Sequence, residues 1–173
     1  MIGMVYGNSY KGGYNGHIHE SLVVGNGVEI GSFCVIEEGV ILGNNVKIGD
    51  FVKLPTGSKV HSGTTIGSYV RLGKNCLIGE SCVIKCHAVI SPDVQVGDRS
   101  FIGPNAILLH ATATGEHKPS RIGKDVFIGT GVYVNPGCVV EDNITVGTGS
   151  VVTKSLVNEG VYVGIPARIR SFK

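Results

Sequence analysis

The chain has 173 residues, 27 of them glycine and none tryptophan; 42% are hydrophobic, and fifteen Lys and Arg against thirteen Asp and Glu leave a net charge of +2. That balance, with no basic stripe interleaved with aromatics, argues against nucleic acid as a partner, and no stretch approaches the roughly 18 apolar residues of a membrane span. Five cysteines at irregular spacing, without a Cys-x-x-Cys, fit neither a disulfide framework nor a zinc ribbon, and the opening MIGMVYGNSYKGGYN has no leader-like n-region, so the expectation is a cytoplasmic protein with reduced thiols.

Residues 1–17 read as a Gly-rich lead-in. From Ile18 an aliphatic residue then recurs every six positions, through Val24, Ile30, Ile36, Leu42, Ile48, Leu54, Val60, Ile66, Leu72, Ile78, Ile84, Ile90, Val96 and Ile102 to Leu108. Glycine follows the anchor nine times in the fifteen repeats from Val24, and two positions before it stands a small or aliphatic residue such as Val28, Cys34, Val46, Cys76, Cys82 or Ala88. Strand side chains alternate faces, so inward residues at the anchor and two before it, with a turn every six, describe short strands joined at corners. A helix of 3.6 residues per turn cannot keep a period of six on one face. The simplest closure is a triangle of three hexads, about 18 residues per coil, stacked by parallel ladders. The cysteines at inward positions fill the interior as small apolar groups.

The phase breaks once, in LHATATGEHKPSR, and resumes at Ile122, Ile128, Val134, Val140, Val146 and Val152. The predicted organisation is a single domain of about seven coils: 18–108 and 122–154 as coils, 109–121 as a loop that adds eight residues at a corner, and 155–173 as a closing strand with a short cap.

The hexads, with IGKDVFIGTGVYVNPGCVVEDNITVGTGSVVTKSL and the later VGIPAR, resemble the hexapeptide-repeat acyltransferase family, closest to its sugar and amino-sugar acetyltransferases. The resemblance implies an all-β, left-handed parallel β-helix, a homotrimer, and acetyl-CoA as co-substrate in a groove between neighbouring solenoids. It also implies a sugar or nucleotide-linked sugar as acceptor. The handedness comes from the resemblance alone, because parallel crossovers are ordinarily right-handed.

Acyl transfer from a thioester needs a base, oxyanion donors and a slot for pantetheine. His110, after the Asn105 of FIGPN, falls where related enzymes carry a catalytic histidine or, in some, an asparagine, and an imidazole can accept a proton near neutrality. Asn105 and, in the loop itself, Glu116, His117 and Lys118 are candidates for the acceptor side. Glu80 and Asp98, 18 apart, should stack in one corner column.

Thr130 and Thr148 are also 18 apart, each after a glycine, Gly129 and Gly147, so their backbone groups should form an edge column suited to an extended pantetheine. In galactoside-type relatives the matching positions line the CoA arm, as does the Thr of VVTK, here Thr153. Lys154, Arg168 and Arg170 would meet the phosphates, Pro166 and Arg168 matching the family's Pro-x-Arg and Arg170 sitting one residue off a second family arginine.

Two other readings compete. The γ-type carbonic anhydrases share the solenoid and bind zinc through one histidine about two dozen residues before a pair spaced by five; His87 and His110 match the first separation, but position 115 is Gly115. No metal is therefore expected. A non-catalytic scaffold is the remaining alternative.

Overall fold

The structure, a computed structural model, describes residues 10–171. Its strands, almost all two residues long, form three sheets of ten, eight and seven strands, each sheet taking every third strand in chain order, in parallel, as far as Val152. The first face contains β4 (Glu29–Ile30), the second β5 (Val35–Ile36) and the third β6 (Ile41–Leu42). Strands of successive coils pair in register, Ile66 opposite both Ile48 and Ile84, a step of 18 residues. The molecule is a parallel β-helix, and the eight strands of the second face count about one coil more than the hexads predict.

Every anchor from Val24 to Val152 is buried, as are Cys34, Cys76, Cys82 and Ala88 two positions before theirs. Ile18 lies at the open end of the first coil and is only partly buried. Where the inward small residue is a hydroxyl, it is satisfied by the coil above: Thr64 Oγ1 donates to Gly79 O at 2.8 Å and Ser100 Oγ to Gly123 O at 2.8 Å. Ser120, two before Ile122, is the exception: its Oγ is buried with no hydrogen-bond partner among the described residues.

Most corners turn through a residue with positive φ three positions after the anchor; those after Ile18, Leu108 and Val152 do not. Gly and Asn tolerate that conformation, yet one corner column holds Phe33, Phe51, Tyr69 and His87, at φ 57 to 62°. These rings stack at 4.8–4.9 Å with interplanar angles of 3–6°, and stacking offsets part of the conformational cost. The glycine after an anchor has a different cause. A Cβ at Gly103 would stand 2.6 Å from the Gly129 carbonyl carbon, so only glycine admits the approach of the next coil.

One boundary differs from the expected one. Within the expected lead-in, β1 (Lys11–Gly12) already pairs with β4, and β2 (His17–Ile18) with β5. Gly12 stands six before Ile18 with no side chain to register in a hydrophobic period, and a Cβ there would overlap Ile30 O. Residues 1–9 and 172–173 lie outside the described residues. The C-terminal stretch closes the helix as expected: β24 (Gly160–Val163) pairs parallel with β22 (Ile144–Val146), and β25 (Arg168–Ser171) folds back antiparallel on β24, burying Leu156, Tyr162 and Ala167.

Candidate active site

The extra residues appear as a jump in register. Val96 pairs with Ile122, 26 positions on, whereas Ile78 pairs with Val96 after 18, so eight residues leave the solenoid between them. They leave at the corner joining the second and third faces, just after β17 (Ile107–Leu108). The segment is a small antiparallel hairpin rather than an irregular loop. Lys118 N donates to His110 O at 2.6 Å, Ala111 bridges to His117, and Thr112 N donates to Glu116 O at 3.0 Å. The Thr112 hydroxyl accepts the Glu116 N–H at 3.1 Å, and Gly115 turns at φ 81°.

The hairpin brings His110 and His117 edge to face, ring centroids 5.5 Å apart. His110, at its base, is half-buried, while His117 is exposed. His117 Nε2 is 3.1 Å from Asp93 Oδ2, and Asn75 Nδ2 donates to Asp93 Oδ1 at 3.2 Å. Asp93 was not legible as a site residue, because it precedes the hairpin by two dozen residues; its place one coil below on the same corner follows from the 18-residue stacking. Lys118 pairs with Glu116 at 2.8 Å and its alkyl stem covers Gly137.

Glu80 and Asp98 do stack, at the corner between the third and first faces. Asp98 Oδ1 accepts the Glu80 N–H at 3.0 Å and Oδ2 meets Lys124 Nζ at 2.9 Å. The Glu80 N–H bond, then Lys124, hold the Asp98 carboxyl below its usual range. This pair staples coils and orients neither histidine.

Thr130 and Thr148 lie on the corner joining the first and second faces, where Asn105 also sits. Above Asn105 this corner is bare, since a Cβ at Gly131 or Gly149 would meet nothing within 4 Å. The Gly129 N–H is spent on Val146 O at 2.8 Å and cannot serve an incoming oxyanion, whereas the Thr130 and Thr148 N–H groups have no partner among the described residues. Phe101 and Phe127 stack at 4.8 Å on one flank; Ile107, Tyr133 and Val151 occupy the other.

Within one subunit, then, the histidine hairpin and the threonine column are at different corners. β17 separates them, with Asn105 at one end and His110 at the other. A sequence period fixes which residues share a column but not how columns of different corners face one another, so the expected closeness of His110 to Thr130 and Thr148 is not found inside a single chain. Thr153 and Lys154 stand on the hairpin's own corner, three coils above Ser91 and Asp93 in the stack. Lys154 and Arg168 line one cleft of about 440 Å³ with Asn158 and Tyr162; Arg170 is exposed and outside that lining.

His87 and His110 are on different corners, and among the described residues no three His, Cys, Asp or Glu side chains are grouped to hold a metal. No helix of the described residues is long and apolar enough to cross a membrane.

The galactoside O-acetyltransferase of Escherichia coli (strain K12) is 35% identical over 86 residues, which is 44% of this chain and 42% of that protein. The chain thus spans less than half the length of the curated relatives it matches. A galactoside acetyltransferase solved in complex with coenzyme A superposes with a TM-score of 0.59 at 29% identity, covering 68% of this chain and 65% of that one. PerB from Caulobacter crescentus, solved with CoA and GDP-perosamine, shares the fold at a TM-score of 0.57 and 23% identity, over 92% of this chain and 58% of that one. The pattern of bacterial transferase hexapeptide repeats itself matches over 21–56, 75–110 and 119–154, more than half of the sequence and with Asn105, His110, Thr130 and Thr148 inside it, so the chain belongs to the bacterial transferase hexapeptide (six repeats) family.

Proposed function

We propose that this protein is an acetyl-CoA-dependent acetyltransferase acting on a hydroxyl or amine of a sugar or nucleotide-linked amino sugar, working as a cytoplasmic homotrimer. The observation that carries the reading is the division of the candidate site between two corners. One corner is bare, flanked by aromatic and aliphatic side chains, with two open N–H groups at Thr130 and Thr148. The other carries a histidine on a pinned hairpin. A neighbouring copy related by a three-fold axis parallel to the solenoid would set its hairpin beside this corner at the same height, because such an axis does not shift coils along their length. The apolar residues Val89, Ile107, Tyr133 and Val151 on the second face give such a contact its surface. The coenzyme A complexes of similar proteins support the choice of donor.

In this reading His110 is the general base. It takes the proton as the acceptor oxygen or nitrogen attacks the thioester carbonyl carbon. The oxyanion is met by the Thr130 N–H; the C–S bond then breaks, and the CoA sulfur leaves with the proton the imidazole held. No acyl-enzyme is needed, and four of the five cysteines are buried in the core. Lys154 and Arg168 receive the phosphates of CoA in their shared cleft. Release of CoA measured across amino sugars, nucleotide sugars and simple sugars, together with sedimentation velocity, tests the reading: turnover of none of them, or a monomer, overturns it. Stoichiometric zinc by metal analysis would favour the carbonic anhydrase alternative, and neither metal nor acetyl-CoA binding would leave a scaffold.

A further inference from the structure

The corner that carries Thr130 and Thr148 is built differently in its lower and upper halves. One position after the anchor, its column runs Gly31, Gly49, Gly67, Lys85, Gly103, Gly129, Gly147. Six of the seven are glycines pressed against the next coil; for Gly67 a Cβ would be 2.8 Å from Cys86 N, and for Gly129 2.6 Å from Thr148 N. Lys85 alone carries a side chain there, and it is exposed. Two positions further along the same turns, the column is Phe33, Phe51, Tyr69, His87, then Asn105, Gly131, Gly149. Stacked rings fill the lower half and end at His87, whose ring lies 4.9 Å from Tyr69. The lane is bare above Asn105, and the turn formed by Lys85, Cys86 and His87 lies one coil below that residue.

We infer that Lys85 is the end wall of the acyl lane and confines the transferred group to the size of acetyl. The inference rests on the acetyltransferase reading above. If the phosphates are held at the C-terminal end by the neighbour's Lys154 and Arg168, on the corner that carries the neighbour's hairpin, the pantetheine descends past Thr148 and Thr130. The reacting carbonyl must then sit at the height of the neighbour's His110, which is the coil of Gly103 and Asn105. The next coil down lies about 4.8 Å below. An acetyl methyl stops short of it. The three C–C bonds that run on from a butyryl carbonyl carbon span most of that distance and bring an alkyl chain against the Lys85 ammonium. Covering an ammonium with hydrocarbon removes its water and returns no partner, which is unfavourable, whereas a glycine at that position would extend the bare floor by one coil.

The test is a series of acetyl-, propionyl-, butyryl- and hexanoyl-CoA assayed by CoA release, with the best acceptor from the sugar panel, for the wild-type protein and for Lys85→Gly. Glycine occupies this column in six other coils, so the variant keeps the backbone's preferred residue; Lys85→Ser, the residue at the analogous Ser91, serves if the first melts early. One methylene at a pocket wall changes kcat/KM by about 10- to 200-fold, so wild type should favour acetyl over butyryl by at least about tenfold, and the variant should raise the butyryl-to-acetyl ratio by about tenfold or more. An unchanged ratio in a folded variant overturns the assignment of Lys85 while leaving acetyl transfer intact, as does equal use of both thioesters by the wild type. Failure of wild type to release CoA from any thioester overturns the acetyltransferase reading, and this inference with it.

Discussion

His117 Nε2 lies 3.1 Å from Asp93 Oδ2, joining the stem of the ejected hairpin to the coil beneath it. The pair is half-exposed, so it contributes under about 1 kcal/mol to global stability, but it is the hairpin's only side-chain ion pair or hydrogen bond to the solenoid among the described residues. Asp93→Ala should leave the melting temperature nearly unchanged while speeding proteolytic cleavage within 112–117. Unchanged cleavage would mean that the backbone bonds of the hairpin hold it without Asp93.

His110→Ala should lower kcat by about 10²–10⁴ and leave acetyl-CoA affinity nearly unchanged, because general-base assistance acts only as the acceptor loses its proton. Steady-state kinetics beside calorimetry with acetyl-CoA read the two effects separately. Near-full kcat in the variant would move the role to His117 or to an acceptor amine that is already free.

Ile66→Asp places a carboxylate at a position that is 1% exposed, between Ile48 and Ile84. An unpaired buried charge costs several kcal/mol, and each coil supports its neighbours, so the variant should lose its β-type circular dichroism or collect in the insoluble fraction. A folded, soluble variant with native melting would mean that this coil can open without cost.

At Phe51, two effects oppose each other: a positive φ of 57° disfavours any side chain, while stacking on Phe33 and Tyr69 at 4.9 and 4.8 Å rewards this one. Phe51→Ala keeps the strain and loses both contacts, for a cost of about 1–3 kcal/mol. Phe51→Gly loses the contacts but relieves the φ by about 1 kcal/mol, so chemical denaturation should rank wild type above Phe51→Gly and Phe51→Gly above Phe51→Ala. The reverse order of the two variants would show that the corner carries no strain.

The thiols give a pH dependence. Burial raises the pKa of Cys34, Cys82 and Cys138, and pushes Cys76 up to about 11. A thiol that holds its proton more tightly folded than unfolded adds stability below its unfolded pKa, and that contribution is lost as pH rises towards the folded value. Stability in denaturant should therefore fall between the ordinary thiol pKa and about 11. At pH 8 a thiol reagent should modify Cys86 first, as it alone of the five is exposed. Rapid reaction of all five in the native protein would contradict the burial.

The period of six determined the fold. An aliphatic residue at every sixth position can be buried on one side only by short strands turning at corners, and that local rule also fixed the inward cysteines, the eight-residue excursion and the Glu80–Asp98 and Thr130–Thr148 columns. The pairing of Lys11–Gly12 escaped it because glycine has no side chain to show a period, and backbone hydrogen bonds need none. Tertiary structure alone decided what depends on distances across the coil. Asp93 meets His117 because stacking brings together residues two dozen apart; the excursion is a hairpin because its own N–H groups close on it; and His110 and Thr130 stand at opposite ends of the second face because a triangular coil sends consecutive hexads to different corners. One sequence period places residues in columns, whereas the relation between columns is set by the cross-section of the solenoid.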